Sequence, residues 1–347
     1  MANRRRRNII ASGIALGIGA AVAGAVAAEK AWVKRDRARD DPYADESYGT
    51  LTGTPIGPVR SFDGTELHVE RVGKGPTVVL IHGFSLSGLS WHHQVRDLAK
   101  HARLVLYDHR GHGRSSRPAG EDGWGLDALA KDLDVIMREC TDDEAVVLVG
   151  HSMGGMTVLE YSRLFPDEVR KRVKGIVLID TTSADVMGNM LPGFARRVEA
   201  TLQGLQEAAM RALAGRTDRL DRIRHRAPDL QYLGTRVMGF APSPSPRQVD
   251  FVHEMLAETP TETWIKLIPA MQALDVTDVL PSIDVPVLII CGLHDRLTPP
   301  HAAERMAMML PEAGYVVLPG AGHMPMLEQH ELLTEHLRTF IKRVHAR

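Results

Sequence analysis

The sequence predicts an α/β fold, a mostly parallel twisted sheet with helices on both faces and a helical cap inserted late in the chain. Three observations carry this. Runs of β-branched and aliphatic residues at 77–81, 104–107, 144–149, 174–180, 285–291 and 315–318 lack the alternation of a half-exposed strand, as expected of strands covered on both faces. Stretches of helical spacing (91–100, 126–139, 301–310, 326–344) separate them, which implies crossover connections and parallel pairing. Between 181 and 278 the alternation stops, and helical patterns (195–213, 248–257) are broken by loops such as Ala241-Pro242-Ser243-Pro244-Ser245-Pro246. Such an insertion sits over the strands' C-terminal edge, where open α/β sheets bind ligands.

In chain order, Arg4-Arg5-Arg6-Arg7 leads into an uncharged run, 8–28, rich in Ala, Gly, Ile and Val. A basic start before an apolar stretch reads as a membrane anchor or an export signal. The run approaches the ~20 residues that span a bilayer, which favours an uncleaved anchor. Ala25-Val26-Ala27 offers a small-x-small cleavage site for the other reading, and the arginine pair before Asn8 resembles a twin-arginine signal. The polar stretch 35–54 reads as a linker. The core then spans 55–180 and 279–347, interrupted by the 181–278 cap. The first core strands, 59–62 and 66–72, flank Asp63-Gly64, a hairpin signal.

Composition excludes several classes. A formal net charge of −1 gives no basic footprint for nucleic acid. The 16 histidines are scattered without C-x-x-C or H-E-x-x-H spacing, so neither a metal nor any other cofactor is expected. Cys140 and Cys291 each close an apolar stretch and read as buried thiols.

Chemistry concentrates at Gly150-His151-Ser152-Met153-Gly154. A buried strand precedes this turn and a helix follows it, so a serine sits at the apex of a sharp strand-to-helix turn, with glycines where a Cβ would crowd the approach. A serine needs a base, and the base needs an orienting acid. His323, in Gly320-Ala321-Gly322-His323 past the last strand, reaches the same sheet edge. Asp295, in Gly292-Leu293-His294-Asp295, follows the penultimate strand and is the favoured acid. Asp180 is its rival, with bonding of the cap's first loop amides as its other task. For the oxyanion, Met153 N–H lies at a helix start, and the turn at Gly83 in His82-Gly83-Phe84-Ser85 can aim the Phe84 N–H inward.

Together these motifs resemble the α/β-hydrolase superfamily, in the order nucleophile, acid, histidine. The resemblance covers about 55–347 and includes the Asp108-His109-Arg110-Gly111-His112-Gly113-Arg114-Ser115 loop, in which Arg110 and His112 are read as structural braces. It implies a serine hydrolase acting on a small-molecule carboxylic ester, lipid-like substrates included. Perhydrolases, lactonases, thioesterases and C–C bond hydrolases share the triad. The N-terminal segment adds a membrane partner and a membrane-anchored or exported location. A non-catalytic, membrane-tethered binding protein would show a broken constellation, whereas every position here is filled. Met187, Met190, Leu191, Phe194 and Trp264 are candidates to line an apolar pocket under the cap.

Overall fold

The buried apolar runs pair side by side. The computed structural model describes residues 26–50, 53–142, 145–190, 217–224, 226, 228–310 and 312–346. Its strands are β1 (Thr54–Arg60), β2 (Glu66–Val72), β3 (Thr77–Ile81), β4 (Arg103–Tyr107), β5 (Val146–His151), β6 (Val173–Ile179), β7 (Val287–Gly292) and β8 (Gly314–Leu318). They form one sheet in the order β1-β2-β4-β3-β5-β6-β7-β8. The β1/β2 and β2/β4 pairs are antiparallel and the other pairs parallel. Gly64 turns the first hairpin at φ 84°, a conformation open to glycine at no steric cost. β1 begins earlier than its apolar residues suggest, with Thr54 opposite Arg71 in the antiparallel ladder.

Alternate residues of each central strand enter opposite layers. Val79, Ile81, Val146 and Leu148 pack with α3 (Leu126–Cys140) and α4 (Met153–Leu164) on one face. Val78, Leu80, Val147 and Val149 pack with α2 (His92–Leu98) and the last helix on the other. Two covered faces explain why these strands read as unbroken apolar runs. Cys140 and Cys291 are buried free thiols, each pushed by burial up to about 12. After α4 come α5 (Pro166–Arg172) and, following β7, α11 (Pro300–Met309).

The one helix expected over 326–344 is two. α12 (Pro325–Glu328) and α13 (His330–His345) meet at Gln329, whose φ of −130° leaves the helical region. Helical periodicity carries across such a break because both pieces bury apolar residues toward the same core.

Between β6 and β7 the described residues are helical: α6 (Val186–Met190), α7 (Thr217–Arg224), α8 (Pro228–Gly239), α9 (Pro246–Glu258) and α10 (Thr261–Gln272). An isolated bridge between Ala184 and Asp275 brings the two ends of this insertion together. The 195–213 helical pattern lies outside the described residues.

The stretch read as a linker is instead docked. Residues 26–37 form α1, and polar side chains from there to Tyr48 meet both the insertion and the core. Asp36, 5% exposed, accepts from Tyr232 Oη at 2.9 Å and Arg236 Nε at 3.1 Å. Arg37 pairs with Asp250, and Asp41 accepts from Ser245 and the Arg247 amide. Tyr48 stacks on Phe251 with centroids 4.7 Å apart. Its polarity serves specific partners rather than solvation. Residues 8–25 of the uncharged run lie outside the described residues. Among those described, no helix is long and apolar enough to cross a membrane.

Candidate active site

The serine turn follows from backbone demands. Ser152 has φ 52° and ψ −119°, and its N–H donates to Ile179 O at 2.9 Å. A Cβ at Gly154 would lie 2.2 Å from Ile81 O, and one at Gly150 would lie 2.5 Å from Gly154 O. The pattern of glycines is therefore what lets α4 approach β3 and β5 closely enough to lift the serine out of the sheet. Met153 is the first residue of α4, so its amide belongs to the free N–H groups of a helix start.

Three loops at the strands' C-terminal ends bring the polar groups together. His323 Nε2 lies 3.0 Å from Ser152 Oγ, and Nδ1 lies 2.8 Å from Asp295 Oδ2. Thr298 Oγ1 donates to the same Asp295 oxygen at 2.7 Å, while the Leu297 and Thr298 amides donate to Oδ1. Burial by itself would raise the Asp295 carboxyl. The neighbouring His323 and the bonds from Thr298 and Leu297 more than offset that and hold it at about 2. It is the ionised partner an imidazole needs.

Asp180 occupies a different state. Its Oδ1 accepts from Gly292 N at 2.7 Å and its Oδ2 has no hydrogen-bond partner among the described residues. Burial, then the charge of Asp295, drives its pKa well above the ordinary carboxylate range. Like charges this close do not both ionise. Asp180 thus braces the start of the Asp295 loop, not the cap's first amides as expected from its position.

Of the two expected oxyanion donors, Phe84 lines the same cavity as Ser152 and Met153 begins the helix that follows it. The turn at Gly83 is tight against the site, since a Cβ there would meet His151 Nδ1 at 2.7 Å and Ser152 Cβ at 3.1 Å. Ser85 follows at φ 57° and sends the chain away. Arg110 is wholly buried between Asp132 (2.7 Å from Nε) and Asp63 (2.8 Å) and donates to Gly123 O. Asp108 receives the Gly88 and Arg114 amides. That loop supports the sheet edge and supplies no group to the serine.

Ser152 and His323 open into a cavity of about 510 Å³ whose lining is mainly apolar, including Phe84, Met156, Met238, Leu256, Trp264 and Ile268. Most of these come from α8, α9 and α10. Trp264 was expected there. Leu191 and Phe194 lie outside the described residues, as do the side chains of Met187 and Met190.

Sequence reading missed two groups that hold the histidine. His151, inside the serine motif, is kept neutral by burial and the nearby His323, and its Nε2 lies 2.8 Å from His323 O. Glu328 accepts from the amides of Gly322 and Ala241 at 2.8 and 2.6 Å. A buried-strand histidine and a glutamate ending a short helix carry no pattern that marks them; only the fold gives them partners.

Comparison with known proteins agrees with this geometry. Residues 76–329 match the family model described as alpha/beta hydrolase fold. The chain is 27% identical over 281 residues to a pimeloyl-[acyl-carrier protein] methyl ester esterase of Vibrio campbellii, covering 80% of this chain and 98% of that one. Among solved structures it resembles a thermophilic esterase from Thermogutta terrifontis (TM-score 0.68, 26% identity, 84% of this chain and 99% of that chain). It resembles equally the esterase EaEST from Exiguobacterium antarcticum (TM-score 0.68, 25% identity, with the same coverage). With the sheet order, the serine turn and a family match over most of its length, this chain belongs to the alpha/beta hydrolase family and is an enzyme of that family.

Proposed function

We propose that the protein hydrolyses carboxylic esters through an acyl-enzyme on Ser152, with the 181–278 insertion as the cap over the site. The observation that carries this reading is the continuous Ser152–His323–Asp295 hydrogen-bonded chain at the floor of an apolar cavity. Ser152 Oγ attacks the ester carbonyl carbon while His323 Nε2 takes its proton. The carbonyl π pair moves to oxygen, which the Phe84 and Met153 amides receive. The carbonyl re-forms as the C–O bond to the alcohol breaks, and His323 returns its proton to the leaving oxygen. Water, deprotonated by His323, attacks the acyl-serine in the same way and releases the carboxylic acid. Asp295 stays ionised throughout and stabilises the imidazolium.

The lining supports an apolar acyl or alcohol group, because burying methylenes against Trp264, Leu256 and Ile268 is favourable by about 0.8 kcal/mol each. A fluorophosphonate probe should label Ser152, and a chain-length series of p-nitrophenyl esters should show kcat/KM rising with length until the cavity is filled. Absence of labelling, with full ester hydrolysis, would remove the serine from the mechanism.

We also propose that the uncharged 8–28 run attaches the enzyme to a membrane; its length and lack of charge support this. Full-length protein should sediment with membranes and keep its N-terminus, and a mature chain starting near Ala28 would identify a cleaved signal instead.

A further inference from the structure

The loop that carries His323 is held by the cap as well as by the core. The His323 N–H donates to Gly239 O at 3.0 Å, at the end of α8. One residue earlier, the Gly322 N–H donates to Glu328 Oε2 at 2.8 Å, and the other oxygen of the same carboxyl accepts from Ala241 N at 2.6 Å. Glu328 therefore bridges the histidine loop to the cap segment that follows α8. The two backbones touch: a Cβ on Gly322 would lie 2.5 Å from Phe240 C and 2.6 Å from Ala241 N. The break at Gln329 ends α12 where this carboxyl can reach back to both amides. On the far side, His151 Nε2 lies 2.8 Å from His323 O.

We propose that Glu328 is a positioning residue for His323, which ties the imidazole to the cap so that movement of α8 is felt at the catalytic histidine. The proposal rests on the Ser152–His323–Asp295 reading above. α8 also lines the cavity through Gly234, Thr235, Met238 and Gly239. A substrate that packs against α8 thus presses on the element whose last carbonyl holds the His323 amide. The role needs an ionised carboxylate, since two N–H donors converge on it and a protonated or amide group offers one oxygen and a clashing hydrogen. A carboxylate set here solely for stability would be an unfavourable choice. Burial, and then the charge of Asp295, push Glu328 up to about 7 against the amide bonds from Ala241, Gly322 and Met324.

The titratable and charged groups on the elements packed around Glu328 include Arg247, Asp250, His253, Glu254 and Glu258 on α9, whose Gln248 donates to Leu327 O, and the following. Asp295 and Asp180 lie at the strand ends, and His323 is on the loop itself. Arg236 is on the cap helix, His92, His93, Arg96 and Asp97 are on α2, and His330 and Glu331 are on α13. Arg236 is engaged by Asp36 and by Pro242 O. His92, His93 and His330 meet Glu46, Tyr48 and Tyr43. Asp295, which raises the Glu328 value, is thus the charge that acts on it from the site.

The test uses full-length enzyme, p-nitrophenyl butyrate and fluorophosphonate labelling, on the wild type and on Glu328→Gln and Glu328→Asp. A displaced catalytic group costs on the order of 10²-fold per ångström, so E328Q should lose about 10- to 100-fold in kcat with KM within about 2-fold. The wild-type kcat should fall on the acid side with more than one proton's dependence, and E328Q should retain a single ionisation. E328D, which keeps a carboxylate, should fall between the two in kcat and keep the extra ionisation; it serves if the Gln variant does not fold. A folded variant with wild-type kcat and an unchanged pH profile overturns the positioning role. If instead Ser152 is not labelled in the wild type and Ser152→Ala keeps its activity, the hydrolytic reading itself fails, whatever the Glu328 variants do.

Discussion

The two sides of the candidate site are built by different means. On the serine side, a strand, a turn and a helix contiguous in sequence place Ser152, and the constraint is backbone: a positive φ at the serine and glycines at 150 and 154 that admit no Cβ. On the histidine side, little is local. His323 is held by Asp295, His151, Gly239 and, through Gly322, Glu328, from four separate parts of the chain. The serine side carries its geometry in five residues. The histidine side takes its contacts from the inserted helices and the neighbouring strand loops, so on our proposal it is the side that a shift of α8 alters.

Substitutions can break this contrast at each end. The largest effect belongs to the local side: Ser152→Ala should cost on the order of 10⁵-fold or more in kcat while circular dichroism and Tm stay near wild type. Ester hydrolysis near the original rate would show that another nucleophile acts.

On the borrowed side, Asp295→Asn should cost on the order of 10⁴-fold in kcat, because the amide stabilises the wrong imidazole tautomer. Asp180→Asn should keep most activity, since the Asp180 carboxyl is already driven toward its neutral form by burial and by Asp295. The opposite ranking, measured on folded protein, would make Asp180 the orienting acid.

A smaller effect tests how far the cap's hold extends. Asp36 anchors α1 to Tyr232 and Arg236 on α8, the helix whose end holds the His323 amide. Asp36→Ala leaves those donors without their acceptor and should cost about 1–3 kcal/mol of stability, read by denaturant unfolding. The same variant should change kcat by less than about 3-fold if α8 stays seated on the loop, because the direct contacts at Gly239 and Ala241 are untouched. A kcat loss matching that of the Glu328 variants would extend the coupling to the N-terminal segment.

The smallest effect is a pH dependence. Glu328 titrates at about 7 in the folded protein, above the ordinary glutamate value of 4.5. A raised carboxyl contributes stability that is fully present below the unfolded value and is lost as pH rises through the folded one. The Gln variant has no such ionisation. Its Tm relative to wild type should therefore climb between pH ~4.5 and ~7 and level off above. A difference that stays flat across that window would mean the carboxyl is not raised.

What the sequence by itself determined is what neighbouring residues impose on one another. Apolar runs without alternation implied strands buried on both faces, and Gly150 and Gly154 around Ser152 implied a turn too close for side chains. The end-of-strand positions of Asp295 and His323 implied one shared edge, because parallel strands all deliver their C-termini to the same side. Tertiary structure alone decided the rest. The polarity of residues 35–48 looked like solvation until Asp36, Arg37 and Asp41 found partners some two hundred positions away. Helical spacing ran through Gln329 because it records which side is apolar and is blind to a change of axis, so the break that frees Glu328 was invisible. Two carboxyls at strand ends looked alike, and only their surroundings separated them. Three hydrogen bonds and an imidazole keep Asp295 ionised, whereas Asp180, with one amide bond, is left to burial and its neighbour's charge. Charge state, like loop anchorage, depends on what the fold packs beside a group.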